Sequence, residues 1–164
     1  MSEAVTPEAL KALAFFSPAT DEELRLLVPV ARFEEYPAGA VLFRAGTDLP
    51  DAFIVTAGTV ALEASGPDGR PHRFQTVTPG ELLGWSPLLG IGPMTASARA
   101  VTDVRVVALD AWAVLDACER DPWFGYLFMR RTAAAIATRL GATRLQRFDA
   151  GRDEPPAPGD GGGA

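Results

Sequence analysis

Cysteine and histidine each occur once in this 164-residue chain, as Cys118 and His72. One cysteine excludes an internal disulfide, and one histidine excludes a multi-histidine metal centre and a histidine-dependent triad. No nucleophile–base pair is recognisable, so the chain reads as non-enzymatic and no cofactor is expected. Long apolar runs are missing, so no segment is expected to span a bilayer. Met1-Ser2-Glu3-Ala4-Val5 has no basic n-region leading into an apolar stretch, so no signal peptide is expected. A lone cysteine suits a reducing compartment, and the expected location is cytoplasmic. Lys11 is the only lysine, and fifteen basic residues against twenty-one acidic ones give a formal charge of -6. That balance argues against non-specific binding to DNA or anionic membrane, which needs clustered basic side chains.

What is present is apolar bulk, 48% of the chain, enough for one domain with a full core. Residues 1–30 predict two N-terminal helices. Thr6-Pro7-Glu8 supplies a cap, a proline at the first helical position and an acid favoured by the helix dipole. Thr20-Asp21-Glu22-Glu23 repeats the start signal, and Pro29 ends the second helix. Residues 31–110 predict short strands at 31–34, 40–44, 52–56, 59–64, 72–77, 95–100 and 105–109, separated by glycine and proline turns. Residues 111–149 return to a helical period. Asp110 caps the first segment, Pro122 breaks the chain, and one long helix follows from Trp123 to Phe148. Its apolar residues form two stripes: Met129, Ala133, Ile136 and Leu140, and Phe124, Phe128, Ala135, Ala142 and Leu145. Two stripes imply two buried surfaces, one on the barrel and one on another subunit. Residues 150–164, rich in glycine and proline, are expected to be disordered. The predicted fold is mainly β with flanking helices, a double-stranded β-helix or jelly-roll barrel.

The candidate site lies in segment 79–100. Gly80 permits close backbone approach, Glu81 offers a carboxylate to a sugar hydroxyl, and Leu82 and Leu83 offer amides. Thr95, Ser97 and Arg99 share one face if 95–100 is a regular strand. Trp85 and Trp112 are candidates for stacking on a base or for core and interface packing.

Two leading helices, glycine-punctuated strands, Gly80-Glu81-Leu82, Pro93-x-Thr95-Ala96 and a long closing helix together resemble the cyclic nucleotide-binding domain, in particular the sensor domains of catabolite-activator and FNR-type regulators. The motifs Leu42-Phe43-Arg44-Ala45-Gly46 and Phe53–Val60 carry the resemblance, which covers roughly residues 10–148. It implies that Gly80, Leu82 and Leu83 give backbone amides, Glu81 takes the ribose, Thr95 takes the phosphate and Thr143 meets the purine. The family's phosphate-binding arginine falls on Met94. Arg73 and Arg99 are the candidate replacements, with Arg99 expected to pair with Glu81.

The resulting expectation is a regulatory sensor module that binds a cyclic nucleotide, cyclic AMP or cyclic GMP, or a related anionic small molecule. Its signal would pass through residues 86–89 and the long helix, and a homodimer would form along that helix. The alternative is a degenerate barrel serving as a constitutive interaction or dimerisation module with no nucleotide bound. Only the Gly/Pro tail follows Phe148, so no DNA binding by this chain alone is expected.

Overall fold

The computed structural model describes residues 3–152, and side chains as far as Ala142. Thr6 caps helix α1 (Pro7–Lys11) by accepting a hydrogen bond from the Ala9 amide at 3.2 Å. The helix is shorter than its apolar spacing predicts, because Ala14–Phe16 tightens into a 3-10 turn that buries Phe15 and Phe16. Helix α2 (Asp21–Leu27) opens on a capping box. Thr20 accepts from the Glu23 amide while the Glu23 carboxylate accepts from the Thr20 amide. Pro29 sits in the 3-10 turn that ends it.

Eight strands follow: β1 (Ala31–Tyr36), β2 (Val41–Phe43), β3 (Asp51–Ala57), β4 (Val60–Ser65), β5 (Pro71–Val77), β6 (Leu82–Leu83), β7 (Ser97–Ala100) and β8 (Val104–Asp110). They form two antiparallel four-stranded sheets, ordered β1-β8-β3-β6 and β2-β7-β4-β5. This is the expected jelly-roll arrangement. Between the sheets lie Phe43, Phe53, Val55, Val60, Leu62, Leu83, Ala98, Ala100 and Val106. The other face of the first sheet, through Ile54, Leu82, Val107 and Leu109, packs on Leu10, Phe16, Leu24, Phe124 and Phe128 from the helices. Both faces of β3 and β8 are therefore covered, and their sequences run nearly continuously apolar instead of alternating.

Between β6 and β7 lies a short helix, α3 (Ser86–Leu89). Asp110 caps α4 (Ala111–Arg120), as its sequence predicts, by accepting from the Ala113 amide at 2.9 Å. Helix α5 (Pro122–Arg152) then runs through Gly141 unbroken. Its buried seam is Phe124, Phe128 and Thr132, with Met129 and Ala135 partly covered. Ala133, expected in a buried stripe, is exposed. A buried ion pair joins α5 to α2, with Arg131 and Glu23 3.0 Å apart. No helix among the described residues is long and apolar enough to cross a membrane. Residues 153–164 lie outside the described residues.

Candidate functional site

The site is built where the chain leaves β6. Gly80, at φ +91, shapes the turn before that strand. Its amide donates to the Val55 carbonyl at 2.8 Å, and its carbonyl accepts from the Phe15 amide. A Cβ there would lie 3.0 Å from the Ala14 Cβ. Gly80 thus seats the 3-10 turn against the barrel. Glu81 folds back on the same turn and accepts from the Thr78 amide at 2.6 Å and the Thr78 hydroxyl at 2.9 Å. Leu82 and Leu83 are buried and paired with Ile54 and Phe53.

The next glycine-led pair, Gly84-Trp85, faces inward with Ser86. A cavity of about 250 Å³ opens there, lined by Phe43, Leu62, Phe74, Gln75, Leu83, Gly84, Trp85, Ser86, Met94, Thr95, Ala96 and three residues of α5, Ile136, Arg139 and Leu140. The walls come from β2, β4, β5, β6 and the approach to β7, and α5 closes one side. Most of the lining is apolar, as in typical small-molecule pockets. Met94 sits on the barrel core, and its backbone is tied to the 46–47 turn. The Met94 amide donates to the Thr47 carbonyl, and the Gly46 amide donates to the Met94 carbonyl.

Among the described residues, the cation lining this cavity is Arg139. Its guanidinium lies 4.8 Å from the Trp85 ring centre and donates to the Leu82 carbonyl. Burial pulls its pKa below the ordinary guanidinium value, and the Glu81 carboxylate opposes that shift. A guanidinium remains charged in such surroundings. Among the described lining residues, one positive side chain therefore stands in an otherwise uncharged and mostly apolar wall.

Of the residues singled out in the sequence, Leu83, Trp85, Met94 and Thr95 line the cavity, whereas Trp112 is exposed on α4. Gly80, Glu81 and Leu82 do not. Glu81 stays close enough to Arg139 to influence its charge but is held on the exterior by Thr78. Ser97 and Arg99 point outside the barrel. β7 begins only at Ser97, and its inward positions are Ala98 and Ala100. The Ser97 hydroxyl accepts from the Ala45 amide. Arg99 pairs with Glu63 at 3.4 Å and donates to the Gly39 carbonyl, which corrects the expected pairing with Glu81. Arg73 is an exposed residue of β5 facing Glu63 across the ladder. The side chain of Thr143 lies outside the described residues. Arg139 was not among the cations proposed for the site. Its sequence signal was positional, a long cation three residues after Ile136 and beside Leu140, on a helix face that is otherwise apolar.

The family profile of the cyclic nucleotide-binding domain matches residues 33–121, more than half of the chain. A CRP-like cAMP-activated global transcriptional regulator of Mycobacterium tuberculosis is 29% identical over 69% of this chain and 46% of its own length. The cyclic AMP receptor protein of Thermus thermophilus is 32% identical over 84% of this chain and 62% of its own. The chain thus spans about half to three-fifths of these relatives. The crystal structure of the N-terminal domain of a transcriptional regulator from Streptomyces coelicolor superposes with a TM-score of 0.67 at 27% identity, covering 80% of this chain and 94% of that one.

Proposed function

This chain belongs to the cyclic nucleotide-binding domain family, and from that membership we propose that it is a non-enzymatic regulatory module that binds a cyclic nucleotide or a related anionic small molecule. The observation that carries this reading is Arg139, a cation delivered by α5 into the cavity wall beside Trp85 and Thr95. An anion seated there engages the barrel and the long helix at once. Signalling needs two states with different ligand affinity, and Ile136, Arg139 and Leu140 give α5 a direct stake in the occupied state. The names of the relatives point to cyclic AMP as the first ligand to test, with cyclic GMP beside it.

The second reading is a constitutive interaction barrel with an empty cavity. Its support is Met94, which offers no charge to a phosphate. Calorimetry with cyclic AMP, cyclic GMP and simple organic anions separates the two readings. One ligand per chain, with slower amide exchange over 136–140, is the expected result. No heat from any of them up to millimolar concentration would leave only the interaction barrel.

A homodimer along α5 is part of the proposal. Trp123, Tyr126 and Leu140 are exposed on this helix. Light scattering at micromolar concentration should give twice the chain mass of 17.4 kDa, and a monomer mass would remove the dimer.

A further inference from the structure

The second sheet, β2-β7-β4-β5, is covered on one side only. Its inner side chains fill the barrel, whereas the core that the helices build takes no residue from any of these four strands. The outer side carries charge of the sign that the chain has less of. Arg44, Arg73 and Arg99 stand there against one carboxylate, Glu63, in a molecule with a formal charge of -6. The register sets these groups in a row. Arg73 opposes Glu63, Glu63 opposes Ser97, and Arg44 follows Phe43, which opposes Ala98, so Arg44 falls beside Ser97. The row crosses all four strands with an arginine at each end. Strands lie about 4.8 Å apart, so the two ends are ~14 Å from one another at the backbone. Glu63 is held by Arg99 at 3.4 Å. Arg44 and Arg73 are exposed and make no ion pair among the described residues. The Ser97 hydroxyl accepts from the Ala45 amide at 2.9 Å and keeps its own proton for an acceptor. A groove of about 210 Å³ runs between Arg44, Ser97 and Arg99.

We infer that this outer face is a docking surface for an acidic peptide segment of a partner protein, lying extended across the strands with one carboxylate on Arg44 and another on Arg73. An extended chain advances about 3.3 Å per residue, so side chains four residues apart, ~13 Å, match the two arginines. Complementary charge of this kind steers encounter and selects the partner. The face binds the segment and the sheet edge does not. Pro71 begins the edge strand β5, and Phe74 is an extra residue between the Glu63–Arg73 and Leu62–Gln75 pairs, two features that blunt an edge against a further strand. Nucleic acid fits less well, because it carries charge at every residue and Glu63 stands inside the row. The groove shares no lining residue with the cavity beside Arg139, so the surface is independent of what that cavity holds.

The test is an amide-resonance titration of the full isotope-labelled chain with a short peptide carrying glutamates four positions apart, its diglutamine counterpart and an oligothymidylate of similar length. The diacid should shift the amides of Glu63, Arg73 and Ser97. It should bind about tenfold more tightly than the diglutamine peptide, a preference that two exposed charge pairs support. Arg44→Gln combined with Arg73→Gln should abolish that preference, and Arg130→Gln, which removes an exposed arginine of α5, should keep it. If the double variant does not fold, the acid preference and the position of the shifts in the unaltered chain decide the matter. Equal binding of the two peptides overturns the inference, as does a preference that survives the loss of both arginines. Tighter binding of the oligothymidylate overturns it in favour of a nucleic-acid face. Shifts confined to other strands, or no shifts at all, overturn it as well.

Discussion

Arg139 clasps Trp85 and the Leu82 carbonyl with one guanidinium, its carbon 4.8 Å from the indole centre. This contact fastens the later part of α5 to the segment that leaves β6. A cation–π contact of this kind contributes about 0.5–2 kcal/mol. Trp85→Ala should therefore loosen α5 locally. Amide exchange over residues 136–140 should accelerate up to about tenfold, since tenfold corresponds to ~1.4 kcal/mol, while Phe124–Phe128 exchange at their former rate. Equal rates in both proteins over 136–140 would mean that the clasp holds nothing.

Glu23 and Arg131 form the buried link between α2 and α5, with side chains 6% and 11% exposed. Removing one member of such a pair strands the other and costs about 3–5 kcal/mol. Glu23→Ala, which also deletes half of the capping box, should lower the urea-derived unfolding free energy by a similar amount. Glu23→Gln, which keeps an acceptor for the Thr20 amide, should lose less.

The same carboxylate gives a pH dependence with a defined sign. Burial raises the Glu23 pKa, but the Thr20 amide and the Arg131 guanidinium pull harder, and it ends below its ordinary 4.5. A depressed carboxylate stabilises the fold fully above the unfolded value and loses that contribution as pH falls through the folded one. The stability gap between the natural protein and Glu23→Gln should be constant from pH 7 to about pH 5 and shrink below 4.5. A gap that stays constant down to pH 3 would contradict the assignment.

Gly80→Ala should destabilise without touching ligand binding. Its φ of +91 disfavours any side chain, and the new Cβ would press on Ala14. A loss of about 1–3 kcal/mol in thermal or urea unfolding is expected, with the affinity of any cavity ligand unchanged within about twofold, a few tenths of a kcal/mol. A large fall in affinity with unchanged stability would return Gly80 to the binding surface.

Arg99→Ala should have little effect on either property. Its side chain is 40% exposed, and an exposed pair contributes about 1 kcal/mol or less. Ligand affinity should be unaffected, because the side chain stands outside the barrel. A tenfold loss in calorimetry would place it at the site after all.

Much of this fold was legible in local chemistry. Thr6, Thr20 and Asp110 cap the helices they announce, and seven of the strands fall close to where short apolar runs meet glycine turns. β6 was not legible. It has two residues, and only pairing with Phe53 and Ile54 makes it a strand. That short strand also decided the site. Gly80-Glu81 and Gly84-Trp85 are both glycine-led pairs, four residues apart, and local chemistry does not distinguish them. Two residues of β6 put the first on the outside turn and the second in the cavity. Thr95 and Ser97 separate for a related reason: Met94 is bound to the 46–47 turn, so the regular strand starts after Thr95 and the period-two expectation fails. Arg139 reaches Trp85 from more than fifty positions along the chain, a relation that no window of sequence contains.

Thr132 marks a change in how α5 is held. Before it, Phe124, Phe128 and Arg131 are sunk into the helical side of the domain, and after it Ile136, Arg139 and Leu140 line the cavity. A rod anchored at one end and touched partway along behaves as a lever. From Thr132 to Arg152 the helix extends about 30 Å at 1.5 Å per residue, with Arg139 roughly a third of the way out. If a ligand filled the cavity and displaced Arg139, the displacement would be multiplied about threefold at the far end. A partner engaging that end would then read an enlarged copy of an event in the barrel, with a gain set by where the clasp falls on the helix.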